Sequence, residues 1–195
     1  MNAAVQLAAL AVFSSLSLNL IFHCGLGMGK AAVFRKGDNR VFLLPIGIIF
    51  ASVLLLWVVF SYILSPFSLG FFEYVLLFPM SGLVYFGLEF LFYRVILKKE
   101  ARTTGAVTFC DGLTAASLFL ALHLASGFLE AAVLSFGFAF GILLALLILG
   151  EIHRRSGMEA VPRFLRGSPL ALISMGFLSL IFSAAALIFF RALGD

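Results

Sequence analysis

The chain has 195 residues, of which 63% are hydrophobic and 11% are charged. Soluble domains carry about 25% charged residues, so this composition excludes a soluble globular protein and indicates one that lies in a lipid bilayer. The net charge of +4 gives no reason to expect a nucleic-acid partner, because the basic residues lie in loops between apolar segments.

Apolar segments that are long enough to cross a bilayer follow one another along the whole chain. A hydrocarbon core of about 30 Å needs ~20 residues of helix, and the continuous hydrophobicity lacks the alternation of barrel strands. We therefore predict an all-α polytopic membrane protein that forms a single integral domain over residues 1–195. The first segment lacks a basic n-region and a cleavage site, so we expect it to be retained. The six predicted spans are 3–28, 41–64, 70–94, 105–124, 128–150 and 168–190.

The first span ends in FHCGLGMG (22–29), in which glycines follow a histidine and a cysteine. Each glycine costs a helix ~1 kcal/mol relative to alanine, so we expect the helix to be interrupted near Cys24. The second cysteine, Cys110, lies in the fourth span and also precedes a glycine–leucine pair. Both thiols have two interpretations. They are small buried hydrophobes, or they are ligands of a metal centre that needs more thiolates than one chain provides.

The two halves of the chain resemble each other. Besides the two cysteine segments, GIIFASVLLL (47–56) is similar to GFAFGILLAL (137–146). We therefore predict two inverted three-span repeats, about 1–100 and 101–195, an arrangement found in many transporter folds. Broken helices at corresponding positions mark the functional site in such folds, and here these positions are spans 1 and 4.

Other polar residues in the spans have a structural and a functional interpretation. His23 and His123 could bind a metal, although a lone histidine in an apolar span is more often a hydrogen-bonded packing residue. Glu89 is a functional candidate because an intramembrane carboxylate is costly, or it pairs with a nearby arginine. Gly137 and Gly141 form a GxxxG pattern, which we interpret as close helix packing.

The stretch 128–182 resembles the small integral subunits of Rnf and Nqr electron-transport complexes. The resemblance rests chiefly on VPRFLRGSPLALI (161–173) and MGFLSL (175–180). It implies that spans 1 and 4 are broken and that each carries one cysteine. Cys24 and Cys110 would then provide two of the four thiolates of a [2Fe–2S] cluster shared with a homologous RnfE/NqrD-type subunit of opposite orientation. Cys24 departs from the family pattern because it precedes its glycine–leucine pair instead of following it.

The resemblance also implies a function. Such complexes couple electron flow between NAD(H) and ferredoxin, or NADH and quinone, to the movement of Na⁺ or H⁺ across the bacterial cytoplasmic (inner) membrane. The chain would not be catalytic alone, because the flavin and NAD sites would lie on other subunits. Two alternatives remain open: an inverted-repeat secondary transporter, and a structural scaffold subunit with no cofactor.

The basic residues predict the orientation of the spans. Twelve of the thirteen Lys and Arg residues lie in the loops after spans 1, 3 and 5, and the loops at 65–70 and 125–127 carry none. By the positive-inside rule, the three basic loops are cytoplasmic and both termini lie on the periplasmic side. This orientation is that of the RnfA/NqrE type of subunit.

Reporter fusions test this orientation. A topology reporter placed after Asp195 should be active on the outer face of the membrane, and reporters inserted near Lys36 or Lys98 should be active in the cytoplasm. The charge asymmetry of the loops is the physical reason. A C-terminal reporter that is active in the cytoplasm would contradict the assignment.

Overall fold

The computed structural model describes residues 3–26, 39–64, 71–92, 94, 112–156, 162 and 168–194. All regular secondary structure in these residues is helical, which confirms the all-α prediction. The helices are α1 (Ala3–Val12), α2 (Leu20–Cys24), α3 (Asn39–Val58), α4 (Phe71–Phe92), α5 (Leu113–Leu124), α6 (Phe128–Ser156) and α7 (Ser168–Gly194), with π-helical turns at Phe13–Ser17 and Val59–Leu64.

Most of the predicted spans correspond to helices that could cross a membrane. Five described segments are long and apolar enough: Val5–Cys24, Ile46–Leu64, Val75–Phe92, Phe128–Ile152 and Pro169–Ala192. The sixth, α5, has 12 residues, or about 18 Å at 1.5 Å per residue. The earlier part of predicted span 4 lies outside the described residues. This set of helices fits a multi-pass membrane protein.

The first span is interrupted, as the sequence predicts. After α1 the chain forms the π-helical turn Phe13–Ser17, in which Ser14 and Ser15 donate hydrogen bonds to carbonyls three residues earlier at 3.1 and 3.3 Å. Such bonds compete with the regular helical ladder and bend a helix. The chain then leaves the helix at Leu18 and Asn19 and restarts as α2. The interruption therefore begins before the glycines that predicted it.

Helix α6 is the centre of the bundle. Among the described elements it contacts α1, the first π-helical turn, α2, α3, α5 and α7. Its two glycines face the first span: a Cβ on Gly141 would lie 2.6 Å from the carbonyl oxygen of Ser15. A Cβ on Gly137 would lie 2.9 Å from the carbonyl oxygen of Ala11. The interpretation of GxxxG as a close-packing surface is confirmed.

The contacts between helices are nearly symmetric. Let α1 and α2 together stand for the first span, and exchange it with α5, α3 with α6, and α4 with α7. Each main contact then maps onto another, with the exception of the α5–α6 pair. An inverted repeat of three spans would produce this pattern. The boundary of the two repeats near residue 100 stays a prediction, because that region lies outside the described residues.

The tight contact at Gly141 predicts a specific loss of stability. Gly141→Ala should lower the free energy of unfolding by about 1–3 kcal/mol, because the new methyl group overpacks the interface with the first span. Gly150→Ala is the matched control: it lies on the same helix, with no atom within 4 Å of an added Cβ. Thermal unfolding in detergent should show a lower midpoint for Gly141→Ala alone, and equal midpoints would contradict the packing.

Candidate functional site

Asn19 occupies the break in the first span and is 1% exposed. Its Oδ1 accepts hydrogen bonds from the N–H groups of Ile21 and Phe22 at 3.2 and 3.3 Å. Its Nδ2 donates to the carbonyls of Ser15 at 3.2 Å and Gly141 at 2.9 Å. Backbone groups within a bilayer have no water to pair with, so this one side chain satisfies groups that the break exposes. Asn19 thereby fixes where α2 begins and how it lies against α6.

Helix α2 ends at Gly25, whose φ is +65°. The N–H of Gly25 donates to the carbonyl of Ile21 at 3.0 Å, which is the left-handed cap that glycine adopts without steric cost. Cys24 is the last residue of α2, and its side chain is exposed. Leu20, Ile21 and Phe22 are buried in the bundle. The thiol therefore lies on the outer surface of this chain, at the end of a short helix within the first span.

A second left-handed glycine lies beside this end. Helix α5 follows Gly112, whose φ is +61°, and a Cβ on Gly112 would lie 3.7 Å from Cδ2 of Leu26. A Cβ on Gly25 would lie 3.9 Å from Cε of Met175 on α7. The end of α2, the start of α5 and the first half of α7 therefore meet. We call residues 24–26, 112–113 and 175 the junction.

The junction contains one of the two predicted ligands. Cys24 is part of it, and Cys110 lies outside the described residues. Gly25 follows Cys24 directly, and Gly112 comes two residues after Cys110. The two positions that the sequence relates as repeats thus lie next to each other in the fold and share a left-handed conformation. Among the described residues, no group of three or more His, Cys, Asp or Glu could hold a metal ion.

The two histidines have different partners. Nδ1 of His23 lies 3.0 Å from Oγ of Ser179, and Nε2 lies 3.5 Å from Oγ of Ser183. Nδ1 of His123 lies 2.9 Å from the carbonyl oxygen of Phe119 in its own helix, so this nitrogen carries the proton. Both rings are hydrogen-bonded, as the packing interpretation predicts. His23 connects two elements, however, whereas this bond of His123 stays within α5.

Several residues that shape the junction belong to no motif that the sequence reveals. Asn19 could have been found as an N-cap residue type isolated in an apolar span. Ser179 and Ser183 are four residues apart, which places them on one face of a helix, but nothing in the sequence links them to His23. Glu89 lies half-buried near the end of α4, and its role stays a prediction.

Comparison with known proteins gives consistent relatives. No protein-family model matches the chain. Two curated proteins, both named as the RnfA component of an ion-translocating oxidoreductase complex, match over most of their length. The protein of Buchnera aphidicola subsp. Baizongia pistaciae is 25% identical over 187 residues, which cover 91% of this chain and 85% of the relative. That of Pectobacterium carotovorum is 27% identical over 183 residues, covering 91% and 86%.

A third relative of the same name extends this pattern. The protein of Buchnera aphidicola subsp. Schizaphis graminum is 29% identical over 143 residues, covering 69% of this chain and 71% of the relative. These matches confirm the relationship to the RnfA/NqrE-type family. They also show that the likeness is not restricted to the last third of the chain, where the sequence motifs lie.

The hydrogen bonds of Asn19 predict a large effect of its removal. Asn19→Ala should lower the free energy of unfolding by roughly 1–3 kcal/mol, because it leaves buried backbone groups without partners. Asn19→Ser should lose less, since serine restores an N-cap acceptor. Ser117→Ala is the control: Ser117 is equally buried, but it bonds to Thr114 within its own helix. Unfolding midpoints in detergent that are equal for Asn19→Ala and Ser117→Ala would contradict this role.

Proposed function

We propose that the chain is a membrane subunit of an Rnf-type ion-translocating oxidoreductase complex. In this role it passes electrons across the membrane through a [2Fe–2S] cluster, which it shares with a homologous RnfE/NqrD-type subunit of opposite orientation. The names of the relatives support the complex. One structural observation supports the site: the glycines that follow the two cysteines lie side by side at the junction.

The donor set of the junction fits such a cluster. Cys110 is two residues before Gly112, so covalent geometry limits the distance between their Cα atoms to about 7 Å. Gly112 contacts Leu26, which is two residues after Cys24. Both thiols therefore belong to one small region. Two thiols are half of the four cysteines that a [2Fe–2S] centre commonly uses, and the exposure of Cys24 leaves this side open to a second subunit.

The residues of this chain would have distinct roles at the cluster. Cys24 and Cys110 would hold iron as thiolates, and Gly25 and Gly112 would let the backbone come close to the cluster. Buried apolar side chains on both helices, among them Ile21, Phe22, Leu113 and Leu118, would exclude water and so influence the reduction potential. The bound cluster supplies one-electron transfer, and the protein supplies position and insulation.

The complex supplies what this chain lacks. We place the flavin and nicotinamide sites on other subunits, and the chain in the bacterial inner membrane with both termini on the periplasmic side. A secondary transporter is the second candidate, favoured by the symmetric helix contacts and by the half-buried Glu89. Broken helices support both functions, so only the cofactor distinguishes them.

Removal of either thiol tests the proposal. Cys24→Ser and Cys110→Ser should each lower the iron and acid-labile sulfide of the purified complex by one cluster. The reduced-state EPR signal of that cluster should disappear, because serine is a harder ligand that binds this centre poorly. Electron transfer through the complex should stop, while the flavins of the other subunits are retained.

The comparison needs a complex that still assembles. Ser117→Ala, which lies on α5 near the junction, should keep the iron, the signal and the turnover. A complex in which both cysteine variants retain the cluster would refute the ligand assignment. A wild-type complex that contains no cluster would favour the transporter or the scaffold.

A further inference from the structure

We propose that His23 is a positioning residue for Cys24. Its hydrogen bonds to α7 hold the last turn of α2 in the orientation that lets the neighbouring thiol reach a cluster. This inference rests on the proposed function, since it assigns a role toward the same cluster. It concerns a different residue and a different contact.

Helix α2 is too short to hold its own orientation. It has five residues, less than two turns, and a helix of this length is not stable by itself. Its start is held by Asn19, which bonds to Gly141 of α6. Near its end, His23 bonds to Ser179 of α7 at 3.0 Å. The two ends of α2 are thus tied to two different helices, and Cys24 directly follows the second tie.

Both nitrogens of the His23 imidazole are paired by serines of α7. A neutral imidazole has one donor and one acceptor nitrogen, and a serine hydroxyl can serve in either role. Ser179 and Ser183 can therefore satisfy both nitrogens at once, at 3.0 and 3.5 Å. A metal bound to His23 would have to displace one of these bonds. The geometry favours a side chain that joins α2 to α7 over one that is itself a ligand.

His123 provides a matched control within the chain. It is also an exposed histidine near the end of an apolar helix, but its Nδ1 bonds to Phe119 of the same helix. Its removal deletes an imidazole and this hydrogen bond within α5, and it leaves the bonds between α2 and α7 in place. A difference between the two histidine variants would therefore report the contact between helices and not the loss of a histidine as such.

The experiment uses the intact complex purified from membranes. The variants are His23→Ala, His23→Gln, the pair Ser179→Ala with Ser183→Ala, and His123→Ala. For each one, iron per complex, the reduced-state EPR line shape and the midpoint potential of the cluster are measured. His23→Ala should keep its iron but show an altered line shape and a shifted potential. The serine pair should shift both in the same direction, because it removes the other half of the same bonds.

The remaining variants define the outcome. His23→Gln should lie closer to wild type, since its amide can still bond to a serine, and His123→Ala should match wild type. An unchanged spectrum in iron-loaded His23→Ala would overturn the inference, as would a change that the serine pair does not share. Loss of iron in both His23 variants, with the serine pair intact, would make His23 a ligand instead.

Two further results keep this test separate from that of the proposed function. If the wild-type complex holds no cluster, the proposed function fails and this inference fails with it. If Cys24→Ser loses the cluster while His23→Ala is spectroscopically normal, only this inference fails. Should His23→Ala not assemble, the serine pair decides alone, because Ser179 and Ser183 are only partly buried on α7 and their methyl replacements fit the same space.

Discussion

The close approach of the first span to α6 is the constraint on which the rest of the structure depends. Two glycines on α6 leave no room for side chains, so the carbonyls of the π-helical turn lie almost against the helix backbone. At this distance the amide of Asn19 reaches the carbonyl of Gly141. A polar side chain can therefore sit inside an apolar bundle, because each of its bonds has a fixed partner. A regular helix in the same place would have exposed no backbone group for it to satisfy.

From this contact the geometry of the junction follows. The break lets α2 start in a new direction, and its short length puts Cys24 and Gly25 near α7 and the start of α5. The thiol is left on the outer surface, where a second subunit could reach it. Burial is uneven in the same sense: the residues of α2 that precede His23 are covered by this chain, while His23 and Cys24 are not. The fold thus separates an insulated side of the junction from an open one.

Much of this architecture was predictable, and the failures have a physical cause. Hydrophobic runs of about 20 residues set the spans, and the GxxxG pattern predicted the contact of α6. The break was expected from the glycines after Cys24, but Ser14, Ser15 and Asn19 begin it earlier. Their effect depends on a partner helix that is distant in sequence. For the same reason the link from His23 to Ser179 could not be predicted, since a serine in an apolar helix has no local signature of its partner.

The Asn19–Gly141 bond also constrains how the protein is made. Its two residues are 122 positions apart in the chain, so the first span emerges from the ribosome long before α6 exists. Until α6 arrives, the amide of Asn19 has no acceptor from it, and the broken helix would place polar groups against lipid or the insertion machinery. A continuous helix satisfies more of its own backbone in that interval. The interruption of the first span is therefore a late event of biogenesis, completed only when the fifth span enters the bilayer.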